Sequence, residues 1–240
     1  MAKRLYPSYV FSPIVARALL WLPTRIILIF FCKFKVYGLE NLHDICGINN
    51  GVLFAANHAS QLDSIAVNAA LPFVSAYTPI FSATDDPEVI KKNRKSFGWL
   101  YYLYRLPFFF RMFGGYPVYV GTGDLKKAVA YQIKFLLGGR SVLFFPEGKR
   151  TRDGKLGIAQ NGVAFLLHHT DTTIVPVAIS GTYNVVPKTF LMRKHTIIVQ
   201  FGKKLISKED IFTDNKNPDE QDLRRGAAEI MSEVEKLLNC

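Results

Sequence analysis

Apolar and polar positions along the chain follow two periods. Short runs rich in β-branched and aromatic residues occur at 33–37 (KFKVY), 51–56 (GVLFAA), 78–82 (TPIFS), 116–120 (YPVYV), 141–145 (SVLFF), 173–179 (TIVPVAI) and 196–201 (TIIVQF), and each reads as a strand. Helical spacing fills most of the intervals, at 63–71, 87–113, 123–138 and 158–169. Strands separated by helices require crossover connections. The pattern therefore predicts an α/β fold, a mixed, largely parallel sheet covered by helices on its faces. Near the end, Asn217-Pro218-Asp219-Glu220 offers a cap, a proline for the first helical position and an N3 acid. Leu223, Ala227, Ile230, Val234 and Leu237 follow at helical spacing, which predicts a closing helix.

The amino terminus breaks the alternation, because residues 10–37 are almost wholly apolar and aromatic. Arg17 and Arg25 interrupt them and Pro23 is expected to break the middle. The longest uncharged run falls short of the roughly 18–20 residues that a spanning helix needs. No cleavage site of small residues follows, which disfavours a secretory peptide. The reading is an N-terminal apolar interfacial helical segment, residues 1–32, lying in the plane of a membrane ahead of one domain over 33–240. Arg17 and Arg25, about 80° apart around a helix, would reach for lipid phosphates while Trp21, Phe30 and their isoleucine neighbours enter the acyl boundary. The other reading is an ordinary buried helix pair, in which both arginines would need partners. Lys3, Arg4, Lys33 and Lys35 favour the cytoplasmic face.

A length of 240 residues suits one α/β domain, and 49% apolar against 20% charged residues excludes wholesale disorder. Thirty Lys and Arg against nineteen Asp and Glu leave a net charge of +11. The partner is expected to be anionic: a phospholipid surface, a phosphorylated substrate or nucleic acid. Nucleic acid is the weakest of these, since the cations form no recognised recognition motif. Cys32, Cys46 and Cys240 are too few and too scattered for a disulfide framework, and the five histidines suggest no metal site.

Two segments carry candidate chemistry. The run GVLFAA leads directly into Asn57-His58-Ala59-Ser60-Gln61-Leu62-Asp63, which puts a histidine and a carboxylate five residues apart at a strand's carboxyl end. On a continuous helix these two would point about 140° apart, whereas a turn lets them meet. Paired with Asp63 through one ring nitrogen, His58 keeps the other as a general base. The alternative is a polar loop whose Asn57 or Ser60 caps the next helix. The second segment, Phe145-Pro146-Glu147-Gly148-Lys149-Arg150-Thr151-Arg152, is a basic loop after the fifth strand, suited to a phosphate or else a solvated turn. The stretch 97–113 holds nine aromatics with Arg105 and Arg111, and reads as sheet cover, or else as an apolar wall for an acyl chain or a second contact with a bilayer.

NHASQLD, GGYPVYVGTGD, FPEGKRTR and IVPVAI, in this order and with KVYGLENL upstream, resemble the four motifs of the 1-acylglycerol-3-phosphate acyltransferase (PlsC-like) family. The resemblance implies an acyltransferase domain in which His58 and Asp63 form the catalytic dyad. It implies an acceptor site at Glu147 and Arg150, in a phosphate-binding loop that also holds Gly148, Lys149 and Thr151. It further implies transfer of a fatty acyl group from an acyl-CoA or acyl carrier protein thioester to a lysophospholipid hydroxyl. The foremost acceptor is 1-acylglycerol 3-phosphate, giving phosphatidic acid, with no cofactor and no metal. Lys149 stands where the family has threonine, Thr151 where it has serine, and Val120 where the second motif ends in arginine. A different lysolipid or amphiphilic alcohol as acceptor, and a non-catalytic membrane-surface module, are the alternatives.

Overall fold

A computed structural model describes residues 7–45, 51–84, 111–119, 123–203, 206–212 and 217–239. Helix α1 (Pro7–Cys32) leads to β1 (Lys35–Tyr37), a 3₁₀ turn (Leu39–Ile45), β2 (Val52–Ala56), α2 (Leu62–Ala70), β3 (Phe81–Thr84) and β4 (Gly115–Pro117). Next come α3 (Leu125–Ala128), α4 (Ala130–Leu137), β5 (Val142–Phe144), α5 (Gly162–Thr170) and β6 (Thr173–Ser180). The chain closes with α6 (Pro187–Leu191), β7 (Ile198–Phe201), α7 (Lys208–Ile211) and α8 (Glu220–Leu238).

The strands form one seven-stranded sheet in the order β1-β7-β6-β2-β5-β3-β4. Every neighbouring pair is parallel except β6 with β7. The sheet is thus mixed and mostly parallel, as the alternation of periods predicts. Strand β2 is buried along its whole length because both faces are covered. Phe54 and Ala56 meet Ala66, Val67 and Ala70 of α2 and Leu28 of α1 in one core. Leu53 and Ala55 point the other way, into a core built with α4, α5 and the Leu223, Ala227 and Ile230 stripe of α8.

Three expectations about helices need correction. The apolar amino terminus is one helix that runs through Pro13 and Pro23 rather than a broken pair. Pro23 costs a backbone hydrogen bond, but side chains on both sides of it fasten α1 to the same end of α2, as described below. The segment 13–32 is, by length and composition, long and apolar enough to cross a membrane. The helix expected over 123–138 is two, parted at Val129, which leaves helical geometry at φ −111° and ψ 26°. The closing helix takes its cap from Asp219 rather than Asn217. Asp219 Oδ1 accepts the N–H of Asp222 at 2.8 Å while the Asp222 carboxylate returns to the N–H of Asp219.

Val120, Lys3, Arg4, Cys46, Cys240 and the aromatic stretch up to Phe110 lie outside the described residues.

Candidate active site

Strands β2 and β5 are parallel neighbours, with Ala55 opposite Phe144, so the loops that leave their carboxyl ends begin side by side. His58 lies on the first loop and residues 145–151 form the second. Asp63, in the first turn of α2, is fully buried and His58 is 20% exposed. Asp63 Oδ2 lies 2.8 Å from His58 Nδ1 and accepts the backbone N–H groups of Ala59 and Ser60, each at 2.7 Å. The turn between strand and helix thus brings together two side chains that a continuous helix would hold apart. A proton on Nδ1, donated to Asp63, leaves Nε2 as the acceptor nitrogen of the neutral ring. The imidazole stacks on Phe145 with ring centroids 4.0 Å apart and planes 15° from parallel, which fixes its remaining freedom.

The peptide of His58 is held from both sides. Its N–H donates to Glu147 Oε1 at 2.6 Å and its carbonyl accepts the N–H of Thr151 at 2.9 Å. The other oxygen, Glu147 Oε2, accepts the N–H of Gly157 at 2.7 Å. Burial pushes the Glu147 carboxyl above its ordinary range, and these two amide donors pull it part of the way back. Asn57 closes the arrangement, because its side-chain amide donates to the carbonyl of Ile179 at 2.9 Å and accepts that residue's N–H at 2.7 Å. In effect it continues the β2–β6 ladder one step past the strand's end.

A cavity of about 1650 Å³ opens beside His58. Gly148, Lys149 and Arg150 line it, together with the apolar side chains of Leu20, Trp21, Ile65 and Ala83. That volume exceeds the roughly 300–1,000 Å³ of ordinary small-molecule sites and suits a long amphiphile. Gly148 has φ +66°, a left-handed conformation that lets the chain turn back under the basic residues.

Two residues of the basic loop depart from the expected arrangement. Glu147 is buried, and each carboxylate oxygen accepts a main-chain amide. It binds the protein itself instead of presenting a free carboxylate to an acceptor. Thr151 turns away from the large cavity and lines a separate one of about 150 Å³ on the other side of His58, with its hydroxyl on Asp153 at 2.9 Å.

The arginines of α1 also face a different way from the one expected. Arg17 donates to the carbonyls of Asn68 at 3.0 Å, Leu71 at 3.2 Å, Pro72 at 2.5 Å and Phe73 at 3.2 Å. Trp21 Nε1 donates to Leu71 at 3.0 Å and Arg25 to Ala69 at 3.0 Å. These carbonyls lie at the carboxyl end of α2, where backbone acceptors lack helical partners and the dipole favours cations. The partners that two buried-side arginines require are therefore main-chain groups, and snorkelling to lipid is replaced by capping. Burial lowers the Arg17 pKa to about 10. Phe30 lies on the opposite face and is more than half exposed.

Sequence reasoning missed Asn57, Phe145 and Gly157 as parts of the site. Asn57 stands directly beside His58 in the first motif, which was a usable signal; Gly157 acts through its N–H, and a main-chain donor leaves no mark in a residue pattern. Among the described residues no cluster of His, Cys, Asp and Glu could hold a metal ion.

A family model described as Acyltransferase matches residues 33–180, more than half of the chain and all of the geometry described around His58 and Glu147. The chain belongs to the acyltransferase family. Within it, the chain is 28% identical over 177 residues to the 1-acyl-sn-glycerol-3-phosphate acyltransferase of Limnanthes douglasii, covering 73% of this chain and 56% of that protein. It is 28% identical over 124 residues to the chloroplastic 1-acyl-sn-glycerol-3-phosphate acyltransferase LPAT1 of Arabidopsis thaliana, covering 44% of this chain and 35% of that one. The chain spans about a third and somewhat over half of the length of these two relatives. The acyltransferase fold is shared with the crystal structure of the 1-acyl-sn-glycerophosphate acyltransferase PlsC from Thermotoga maritima. That likeness has a TM-score of 0.57 at 21% identity and covers 93% of this chain and 82% of that one.

Proposed function

We propose that this acyltransferase moves a fatty acyl group from an acyl thioester, on coenzyme A or acyl carrier protein, to the free hydroxyl of 1-acylglycerol 3-phosphate, giving phosphatidic acid. The observation that carries the reading is the contact of His58 Nδ1 with Asp63 at 2.8 Å, on a ring that lines a cavity shared with Lys149 and Arg150. The names of the curated relatives support the same acceptor.

In this reading His58 Nε2 takes the proton of the acceptor hydroxyl as its oxygen attacks the thioester carbonyl. A tetrahedral intermediate forms and collapses; the C–S bond breaks and the leaving thiolate takes the proton back from Nε2. Asp63 accepts from Nδ1 throughout, which holds the tautomer and offsets the imidazolium charge. No enzyme nucleophile is needed, because the substrate's own hydroxyl attacks. Arg150 and Lys149 bind the acceptor's phosphate, Arg150 through its planar fork. Glu147 serves as a positioning residue behind the dyad. Residues 33–240 form the acyltransferase domain, and residues 1–32 attach it to the cytoplasmic face of an anionic membrane.

The test is an acceptor panel with detergent-solubilised protein and radiolabelled acyl-CoA or acyl carrier protein. Labelled phosphatidic acid from lysophosphatidic acid, and none from the His58→Ala protein, is the expected result. A folded protein that acylates no lysolipid with either donor would overturn the activity. Equal use of a lysolipid without a phosphomonoester would overturn the acceptor.

A further inference from the structure

Opposite the side of α1 that carries Arg17, Trp21 and Arg25, the helix presents Leu19, Leu22, Ile26, Ile29 and Phe30, each more than half exposed. At its carboxyl end this face runs on into α6. Phe31 stacks on Phe190 with centroids 5.4 Å apart, and the Arg193 guanidinium lies 4.7 Å over the ring of Phe30. Beside this junction Leu191 and Met192 stand 62% and 53% exposed. Two long apolar side chains at the tip of a five-residue helix gain nothing from projecting into water.

The two segments that meet at this tip carry charge of one sign. Residues 26–37 and 185–195 contain Lys33, Lys35, Lys188, Arg193 and Lys194 and not one Asp or Glu. Lys33, Lys188, Arg193 and Lys194 are all exposed. Surfaces that face only water ordinarily intersperse both signs. An apolar tip ringed by cations is complementary to the anionic interface of a bilayer, where the apolar groups enter the acyl boundary and the ammonium and guanidinium groups stay among phosphates.

We propose that the α6 tip, Leu191 and Met192, docks with the outer face of α1 as a second foot on an anionic lipid bilayer. The proposal rests on the reading of α1 as the membrane attachment and adds what one helix alone cannot supply. A single helix lying in the interface can roll about its axis, and a contact off that axis stops the roll. Because Leu20 and Trp21 line the large cavity from the inner side of α1, the roll angle decides how the cavity stands to the lipid.

The experiment uses the 240-residue chain with Cys46→Ser and Cys240→Ser, leaving Cys32 buried. An environment-sensitive NBD label is placed in turn at Met192→Cys, at Leu19→Cys and, on the exposed face of α8, at Glu229→Cys. Vesicles are phosphatidylcholine with one quarter phosphatidylglycerol, doped with a lipid carrying a shallow nitroxide. The expected result is quenching at 192 and 19 by about twofold or more, with none at 229. Quenching at 192 should weaken in pure phosphatidylcholine and in a Lys188→Glu, Arg193→Glu, Lys194→Glu variant. A label at 192 that stays unquenched while 19 is quenched overturns the proposal. So does a chain that is dimeric in solution and becomes monomeric on Leu191→Asp, since a second copy would then cover the tip. Acylation of detergent-dispersed acceptor is measured in parallel: it should be unchanged in Leu191→Asp, and its absence from the unsubstituted chain would count against the proposed reaction without bearing on the quenching.

Discussion

His58 donates its backbone N–H to Glu147 Oε1 at 2.6 Å, so the acid of the third motif grips the histidine of the first by its main chain. Through its other oxygen the same carboxylate holds Gly157. Two loops that leave neighbouring strands are thereby locked into one unit around the dyad.

Glu147→Gln places an amide NH₂ against one of the two N–H donors. Loss of that hydrogen bond in a buried setting costs about 1–3 kcal/mol. The expected outcome is a lower melting temperature and a kcat reduced by about tenfold or more, with the acceptor KM moving far less. Steady-state kinetics over a range of acceptor concentrations check it; a rise confined to acceptor KM would mean that the carboxylate touches substrate.

Gly157→Ala reaches the same clamp from the opposite side. A Cβ there would lie 2.6 Å from Glu147 Oε2, so the carboxylate must shift. Its kinetic phenotype is expected to resemble that of Glu147→Gln. The double variant should be little worse than either single one, because both changes break the same unit. Additive losses in kcat would separate the two residues.

His58→Ala and Asp63→Asn should differ in more than rate. Both are expected to lose about 10²- to 10⁴-fold in turnover, the usual share of general-base catalysis. His58 is partly exposed and its removal leaves the fold in place. His58, Ala59 and Ser60 all reach Asp63 Oδ2, while Oδ1 is buried without a partner among the described residues, so Asp63→Asn keeps its oxygen on those donors only by burying an NH₂ that nothing there accepts. Thermal denaturation should therefore show a clear fall for Asp63→Asn and little change for His58→Ala.

Arg150→Ala should raise the KM for lysophosphatidic acid by about tenfold or more, equivalent to roughly 1.4 kcal/mol, while the acyl donor's KM stays near its starting value. An unchanged acceptor KM would take the phosphate away from this loop.

Arg17→Ala strips hydrogen bonds from four carbonyls at the end of α2. A stability loss of about 2–3 kcal/mol is expected, visible as a lower midpoint in urea. Removal of residues 1–31 would thus do more than remove the proposed membrane attachment. It takes away the cap of α2 and a wall of the cavity, so the truncated protein should be less stable and less active even on detergent-dispersed acceptor.

What the residues disclosed depended on whether the relevant physics is local. The strands were legible because β2, β5 and β6 are short apolar runs bounded by turns, and burial on both faces writes itself into composition. The five-residue spacing of His58 and Asp63 permits contact only across a turn, and that turn lies between β2 and α2. Continuity of α1 through Pro23 was not legible, since it depends on Arg17 and Arg25 reaching carbonyls more than forty positions away. The target of Glu147 was hidden for a related reason: its partners are main-chain amides at 58 and 157, and every residue but proline owns one. Asp219 is the cap because it trades hydrogen bonds reciprocally with Asp222, three residues on.

The contact between α1 and α2 has an asymmetry with a genetic consequence. Its hydrogen bonds are made from α1 by particular side chains, Arg17, Trp21 and Arg25, whereas α2 and the turn after it supply peptide carbonyls to them, with the Phe73 ring packing on Trp21 beside them. Asn68, Leu71 and Phe73 can be exchanged without erasing those acceptors. A lesion at position 17, by contrast, has no suppressor among them, because no new side chain there restores the lost donor. As far as these hydrogen bonds go, drift is tolerated on the α2 side and arrested on the α1 side, so covariation across the seam should be confined to packed pairs such as Trp21 with Phe73.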